Sequence, residues 1–241
     1  MRHELASTKN VRRFQAAIRE LRNRSLGVEG MGLLWGRPGE GKTTIIAHSA
    51  NETGGVYLRA NAGWTVTSML QALVRELGGT PGNRRSPMMD YCFDKLRGGG
   101  RPIYVDEADY LFRQTDMLDA LRDIYDETGS PVILIGMEDI ARTIQNNGRF
   151  ARRITAWIQF NGIDIEDART VADTICEVSL EDDLLDHLHQ EAAANIGRMV
   201  VGLSRIERFA KTSGLITVSR AAWGDRELFY DQPNFNKGRK R

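Results

Sequence analysis

A chain of 241 residues that is 41% apolar and 27% charged can hold one α/β domain of ordinary size with a smaller appendage, which excludes a disordered chain. Its two cysteines, Cys92 and Cys176, lie far apart with no C-x-x-C or neighbouring histidine, which argues against a disulfide framework or zinc site. The longest apolar stretch, around Val132 to Ile135, is too short to cross a bilayer, and with no apolar signal core at the N-terminus the expected setting is cytoplasmic, without a membrane partner.

The formal charge of +1 conceals segregation. Residues 1–25 carry Arg2, Lys9, Arg12, Arg13, Arg19, Arg22 and Arg24 against Glu4 and Glu20. Between Asp164 and Glu191 the only Lys or Arg is Arg169, among ten acidic side chains, and Lys237, Arg239, Lys240 and Arg241 crowd the C-terminus. Such asymmetry suits head-to-tail self-association or a polyanionic partner, although solvated helix faces account for any one run.

In chain order, Val11, Phe14, Ile18 and Leu21 recur at helical spacing behind the cap candidates Ser7 and Thr8, predicting an amphipathic helix with a basic outer face. The apolar run Met31 to Trp35 reads as a strand, and it leads directly into Gly36-Arg37-Pro38-Gly39-Glu40-Gly41-Lys42-Thr43, a full G-x-x-x-x-G-K-[ST] phosphate-binding loop, the Walker A pattern. Glycines there let backbone N–H groups turn inward around phosphates, Lys42 reaches the terminal ones, and the Thr43 hydroxyl is placed for Mg²⁺. A helix that starts at Thr43 and continues through Thr44 adds its positive dipole end. Residues 36–44 therefore predict a nucleotide site for ATP with Mg²⁺.

Val56 to Ala60 reads as the second strand and Ser68 to Leu77 as a helix closed by Gly78-Gly79. After the polar loop Thr80 to Ser86, Pro87 suits the first turn of a helix running to about Leu96. Pro102 to Val105 is the third strand, Thr115 to Thr128 a helix, Pro131 to Gly136 the fourth and most buried strand, and Trp157 to Phe160 the fifth. From Asp164 only helices are expected, at Asp164 to Ile175, Leu180 to Ala194 and Arg198 to Lys211. The expected fold is α/β, a three-layer P-loop NTPase with a parallel five-stranded sheet and a small C-terminal helical lid. Its expected divisions are a basic helix over 1–25, the α/β domain over 26–162, the lid over 163–214, and a C-terminal segment with a basic tail over 215–241.

Asp106 and Glu107 end the apolar strand Ile103-Tyr104-Val105, the Walker B placement in which the first acid holds Mg²⁺ and the second orients the attacking water. An N-capping acid pair is the structural alternative. Phosphoryl transfer needs positive charge at the transition state, and Arg149, Arg152 and Arg153 are placed for supply from a neighbouring subunit, with Arg152 or Arg153 preferred and surface ion pairing the alternative for each. Arg198, at the start of the third lid helix, is a candidate γ-phosphate contact from within the same chain.

Taken together, Thr8 to Phe14, Met31 to Thr44, Ile103 to Asp109, Pro131 to Met137 and Phe150-Ala151-Arg152-Arg153-Ile154 make nearly the whole chain resemble an AAA+ ATPase of the DNA-transposition group, the MuB/TnsC/IstB-like target-capture proteins. The resemblance implies a homo-oligomer, as a helical filament or hexameric ring, that forms on double-stranded DNA in a bacterial host cell, selects target DNA and activates a transposase. It also places DNA contacts after the second strand, where Arg84 and Arg85 are the first candidates and Lys95, Arg97 and Arg101 the second. Phosphate contacts of that kind give weak sequence preference and strong salt dependence. One departure is Gly136-Met137-Glu138 where such proteins often carry a polar sensor; Glu138 is a candidate substitute, with slow turnover the other outcome. A helicase loader, a small-molecule kinase and a nucleotide-gated scaffold without meaningful hydrolysis remain as alternatives.

Overall fold

The computed structural model describes residues 1–98, 100–113 and 115–230, excluding the side chains of Arg113 and Arg149; the basic tail at Lys237 to Arg241 lies outside the described residues. The chain forms two compact units, one of Lys9–Asn161 and one that joins Met1–Thr8 to the chain from Gly162 onward.

In the first unit, α1 (Lys9–Arg22) is followed by β1 (Met31–Trp35), α2 (Lys42–Thr53), β2 (Val56–Arg59), α3 (Val66–Glu76) and α4 (Arg85–Leu96). Next come β3 (Ile103–Asp106), a 3-10 turn over Ala108–Arg113, α5 (Thr115–Thr128), β4 (Val132–Gly136), α6 (Glu138–Asn146), α7 (Gly148–Ala151) and β5 (Ile154–Gln159). The five strands run in the order β2-β3-β4-β1-β5, and every pairing is parallel. A parallel sheet needs both faces covered, which is why its strands read as near-continuous apolar runs. Met31, Leu33, Val105 and Leu134 face the cluster built with α3 to α7. On the other face, Tyr104 meets Phe14 of α1, ring centroids 6.5 Å apart, and Phe14 also packs edge-on against Phe160 at 6.3 Å. The expected three-layer α/β architecture is therefore what the chain adopts.

α1 buries Val11, Phe14, Ile18 and Leu21, as their spacing predicts, and Asn10 donates to the Asn161 carbonyl at 2.7 Å. That helix belongs to the compact unit of Lys9–Asn161. The fifth strand begins at Ile154, three residues before the expected Trp157, and its register shifts between Met31 and Gly32 of β1. The shift interrupts the apolar alternation that marks a strand.

The second unit holds α8 (Ile165–Ile175), β6 (Ser179–Leu180), α9 (Asp182–Glu191), α10 (Ile196–Ser213), β7 (Thr217–Val218) and α11 (Arg220–Trp223). Its core gathers Val171, Leu184, Leu188, Leu203, Ile206 and Trp223. The all-helical expectation needs correction, because β6 and β7 pair in parallel, Ser179 with Thr217 and Leu180 with Val218. Residues 215–228 pack with this unit, and residues 1–8 join it through the Arg2 N–H, which donates to the Ile175 carbonyl at 2.7 Å.

Candidate functional site

The phosphate-binding loop leaves the carboxyl end of β1. Gly39 and Gly41 both take φ of 80°, a left-handed conformation that costs a residue with a Cβ about 1 to 2 kcal/mol. Gly41 caps α2 in that conformation, so the first N–H groups of α2 remain available for an anion. Lys42 folds back over the loop, donating to the Gly36 carbonyl at 2.7 Å and the Arg37 carbonyl at 2.8 Å. Burial holds its pKa below the usual lysine range, against the nearby carboxylates of Glu40 and Asp106. Glu40 is buried within the loop, one of its carboxylate oxygens has no hydrogen-bond partner among the described residues, and burial raises its pKa.

Asp106 is 4% exposed and lies at the end of β3. Its Oδ2 accepts from Thr43 Oγ1 and from the Tyr57 hydroxyl, each at 3.0 Å, and its Oδ1 accepts from the Glu107 N–H at 2.9 Å. A hydroxyl and a carboxylate held side by side match the oxygen donors a Mg²⁺ ion takes when it bridges protein and phosphate. The two residues predicted to share the metal, 63 positions apart, are therefore brought into direct contact. Tyr57 is kept as a donor: burial first, then the adjacent Asp106, push its pKa up to about 12.

Glu107 takes φ of 55°, an uncommon conformation for a side-chain-bearing residue and one that clusters at functional sites. Its carboxylate lies 3.6 Å from the Arg59 guanidinium at the end of β2. Tyr57 and Arg59 went unread in the sequence. The parallel register that sets Arg59 beside Asp106 and Tyr57 beside Tyr104 is what brings them to the site. The signal available was a polar residue at alternate positions of Val56-Tyr57-Leu58-Arg59, one of them at the strand's carboxyl end.

At the end of β4, a Cβ on Gly136 would collide with Asp109 Oδ2, because that carboxylate closes in to accept the Met137 N–H at 3.0 Å. Met137 is 49% exposed, and Glu138 is 3.3 Å from Arg37 of the loop. The polar groups at this position are thus Asp109 and Glu138.

The predicted arginines divide. Arg152 is exposed and makes no ion pair among the described residues, whereas Arg153 grips Asp126 in a fork, Nε at 3.0 Å and Nη2 at 2.8 Å. That fork raises the Arg153 pKa. Both arginines precede β5 at the amino edge of the sheet, where the Met31 N–H donates to the Arg153 carbonyl at 3.1 Å. Five residues of β1 at about 3.3 Å each put roughly 16 Å between that edge and the phosphate loop of the same chain. Arg149 has its backbone in α7, its side chain lying outside the description. Arg198 belongs to the second unit, where its guanidinium stacks 4.2 Å from the Phe229 ring centroid and donates to the Glu191 carbonyl at 3.2 Å.

Arg84 caps α4 without a side-chain cap bond and is exposed, and Arg85 donates to Thr67 Oγ1 at 3.2 Å, so the starts of α3 and α4 lie side by side. The second-choice residues all have partners: Arg97 pairs with Glu127 at 2.5 Å, Arg101 donates to the Gly54 carbonyl at 2.8 Å, and Lys95 lies over Tyr91 at 5.6 Å. Trp64 is buried in the main core. Both cysteines are free and buried, no metal-binding cluster of His, Cys, Asp and Glu occurs among the described residues, and no described helix is long and apolar enough to cross a membrane.

A family model described as an AAA domain matches residues 24–144, just over half of the chain. No curated protein matches the sequence. Among solved structures, the ORC2 protein of Aeropyrum pernix in ADPNP–ADP complexes is similar with a TM-score of 0.68 and 17% identity, covering 92% of this chain and 68% of that one. Cdc6p of Pyrobaculum aerophilum gives a TM-score of 0.60 at 14% identity over 87% of this chain, which spans 63% of its length. Domain III of the replication initiation protein DnaA of Thermotoga maritima gives 0.58 at 15% identity, covering 90% of this chain and 91% of that one. At these identities the likeness is one of fold.

Proposed function

The chain belongs to the AAA domain family, and on that premise we propose that it is an ATP-hydrolysing switch that assembles on DNA, of the replication-initiator or helicase-loader kind. Family membership implies nucleoside-triphosphate binding and hydrolysis, ordinarily with Mg²⁺. The observation that carries the reading is the contact of Thr43 with Asp106 beneath a complete phosphate loop, with Glu107 the next residue along.

ATP with Mg²⁺ supplies the transferable γ-phosphoryl group and its charge-neutralising cation. Around it, Lys42 would leave the carbonyls of Gly36 and Arg37 for the terminal phosphates, and Thr43 and Asp106 would hold the cation. Glu107, released from Arg59, positions the attacking water and takes its proton. Arg152 of a neighbouring copy stabilises the developing negative charge, Arg153 being committed to Asp126. Arg84 and Arg85 bind duplex phosphates with little sequence preference.

The initiator reading is supported by likeness to ORC2, Cdc6p and DnaA domain III over most of the chain. A second reading, delivery of target DNA to a transposase, is favoured by the motifs at Thr8 to Phe14 and Phe150 to Ile154. The test begins with ATPase assays: Lys42→Ala is expected to abolish nucleotide binding, and Glu107→Gln to keep ATP and DNA binding while lowering turnover by about 10² to 10⁴. Normal hydrolysis by Glu107→Gln removes the assigned base. Electron microscopy with duplex DNA and a slowly hydrolysed ATP analogue is expected to show filaments or rings. Stimulated strand transfer by a transposase selects the second reading, and loading of a replicative helicase selects the first.

A further inference from the structure

Helix α10 buries Met199, Leu203, Ile206 and Ala210 and leaves Arg205, Arg208 and Thr212 on one outer row, at the spacing that aligns residues on a helix. A shallow cleft of about 500 Å³ runs beside that row, lined by Arg205, Arg208 and Arg226 with Glu227 as the one carboxylate among its lining residues. The Arg205 guanidinium lies 4.1 Å from the Tyr230 ring centroid, and its Nη1 is buried without an acceptor among the described residues. Arg226 stacks over Phe209 at 4.3 Å, and Phe209 meets Trp223 edge-on at 5.4 Å. Leu228 is buried and Phe229 packs over Gly202, where a Cβ would sit 3.4 Å from the ring, so the segment bearing Tyr230 is laid along α10. Tyr230 itself is 82% exposed.

A buried guanidinium N–H without an acceptor is an unmet demand for an anionic oxygen. An exposed ring backed on one side by an arginine offers its other face for stacking. Three arginines against one carboxylate give the cleft the charge of a phosphate trap. We propose that this face of α10 binds single-stranded nucleic acid, with a backbone phosphate in the arginine cleft and an unpaired base stacked on Tyr230. The combination of a basic groove with an aromatic platform is the general chemistry of single-strand binding, and the bases of a duplex are already stacked on one another. None of these residues belongs to the nucleotide site or to the Arg84 and Arg85 surface, so this site stands even where duplex binding through those arginines fails.

Fluorescence anisotropy of the full chain with a labelled oligodeoxythymidine of about twenty nucleotides, without ATP, tests it. Arg205→Ala with Arg208→Ala is expected to weaken binding about tenfold or more and to lower the salt slope by about 0.7 for each backbone phosphate no longer neutralised. Tyr230→Ala is expected to weaken it about tenfold, and Tyr230→Phe, which keeps the ring, to leave it unchanged. Should the double arginine variant fail to fold, Arg208→Glu on the exposed row carries the same test. Unaltered affinity in both the arginine and the Tyr230→Ala variants overturns the proposal, as does an arginine variant that loses only self-association in sedimentation, which would make a second copy of the chain the occupant.

Discussion

Lys42 donates to two carbonyls of its own loop, and its burial favours the neutral amine. A bound triphosphate favours the ammonium instead. Because burial depresses the pKa without nucleotide, the charge needed to grip phosphate is lost on raising the pH through that lowered value, before an ordinary lysine would titrate. ATP affinity should therefore decline on the alkaline side, with proton uptake on binding in that range. Calorimetry in buffers of different ionisation enthalpy measures it; binding without proton uptake there would leave the loop's folded-back lysine without consequence. The same residue shows what a motif can reveal. Residues 36–43 and the acids at 106 and 107 were legible because the chemistry demands those types at those spacings. Tyr57, Arg59 and Asp109 were not, since their roles depend on which strands lie side by side and on a carboxylate closing against Gly136.

At the scale of elements, the largest side chain that α1 buries is a single ring. Phe14 is fully buried between Tyr104 and Phe160. Phe14→Ala should cost about 3 to 5 kcal/mol, read as a lowered denaturation midpoint in urea. A midpoint within error of the parent would mean that α1 contributes little to the α/β unit. Elements with long apolar periods, such as α1, α5 and β4, were legible to within a residue or two. β5 was mis-started because its shifted register breaks the alternation, and β6 and β7 escaped notice because two-residue strands have no period to detect. α3 starts at Val66, two residues before the expected Ser68, because Thr65 and Ser68 form a reciprocal capping box that places Ser68 inside the first turn.

For the whole molecule, the question is which copy completes the site. Arg152→Ala should be nearly inactive alone, as should Lys42→Ala, yet a mixture of the two should recover part of the ATPase rate. The Lys42→Ala copy then lends its intact Arg152 to the intact loop of the other. Losses of 10³ to 10⁵ are on the order expected for such an arginine. A mixture as inert as its components would place the completing arginine elsewhere.

The phosphate loop at one edge of the sheet and Arg152 at the other also set a counting rule. Under the proposed arrangement, an open row of copies always has one fewer working junction than members, and its terminal subunit keeps a loaded but idle fuel chamber. A closed ring wastes none. Specific activity should then climb gradually with protein concentration if rows stay open, and step up sharply if they close, so a plain dilution series reports the geometry of the assembly.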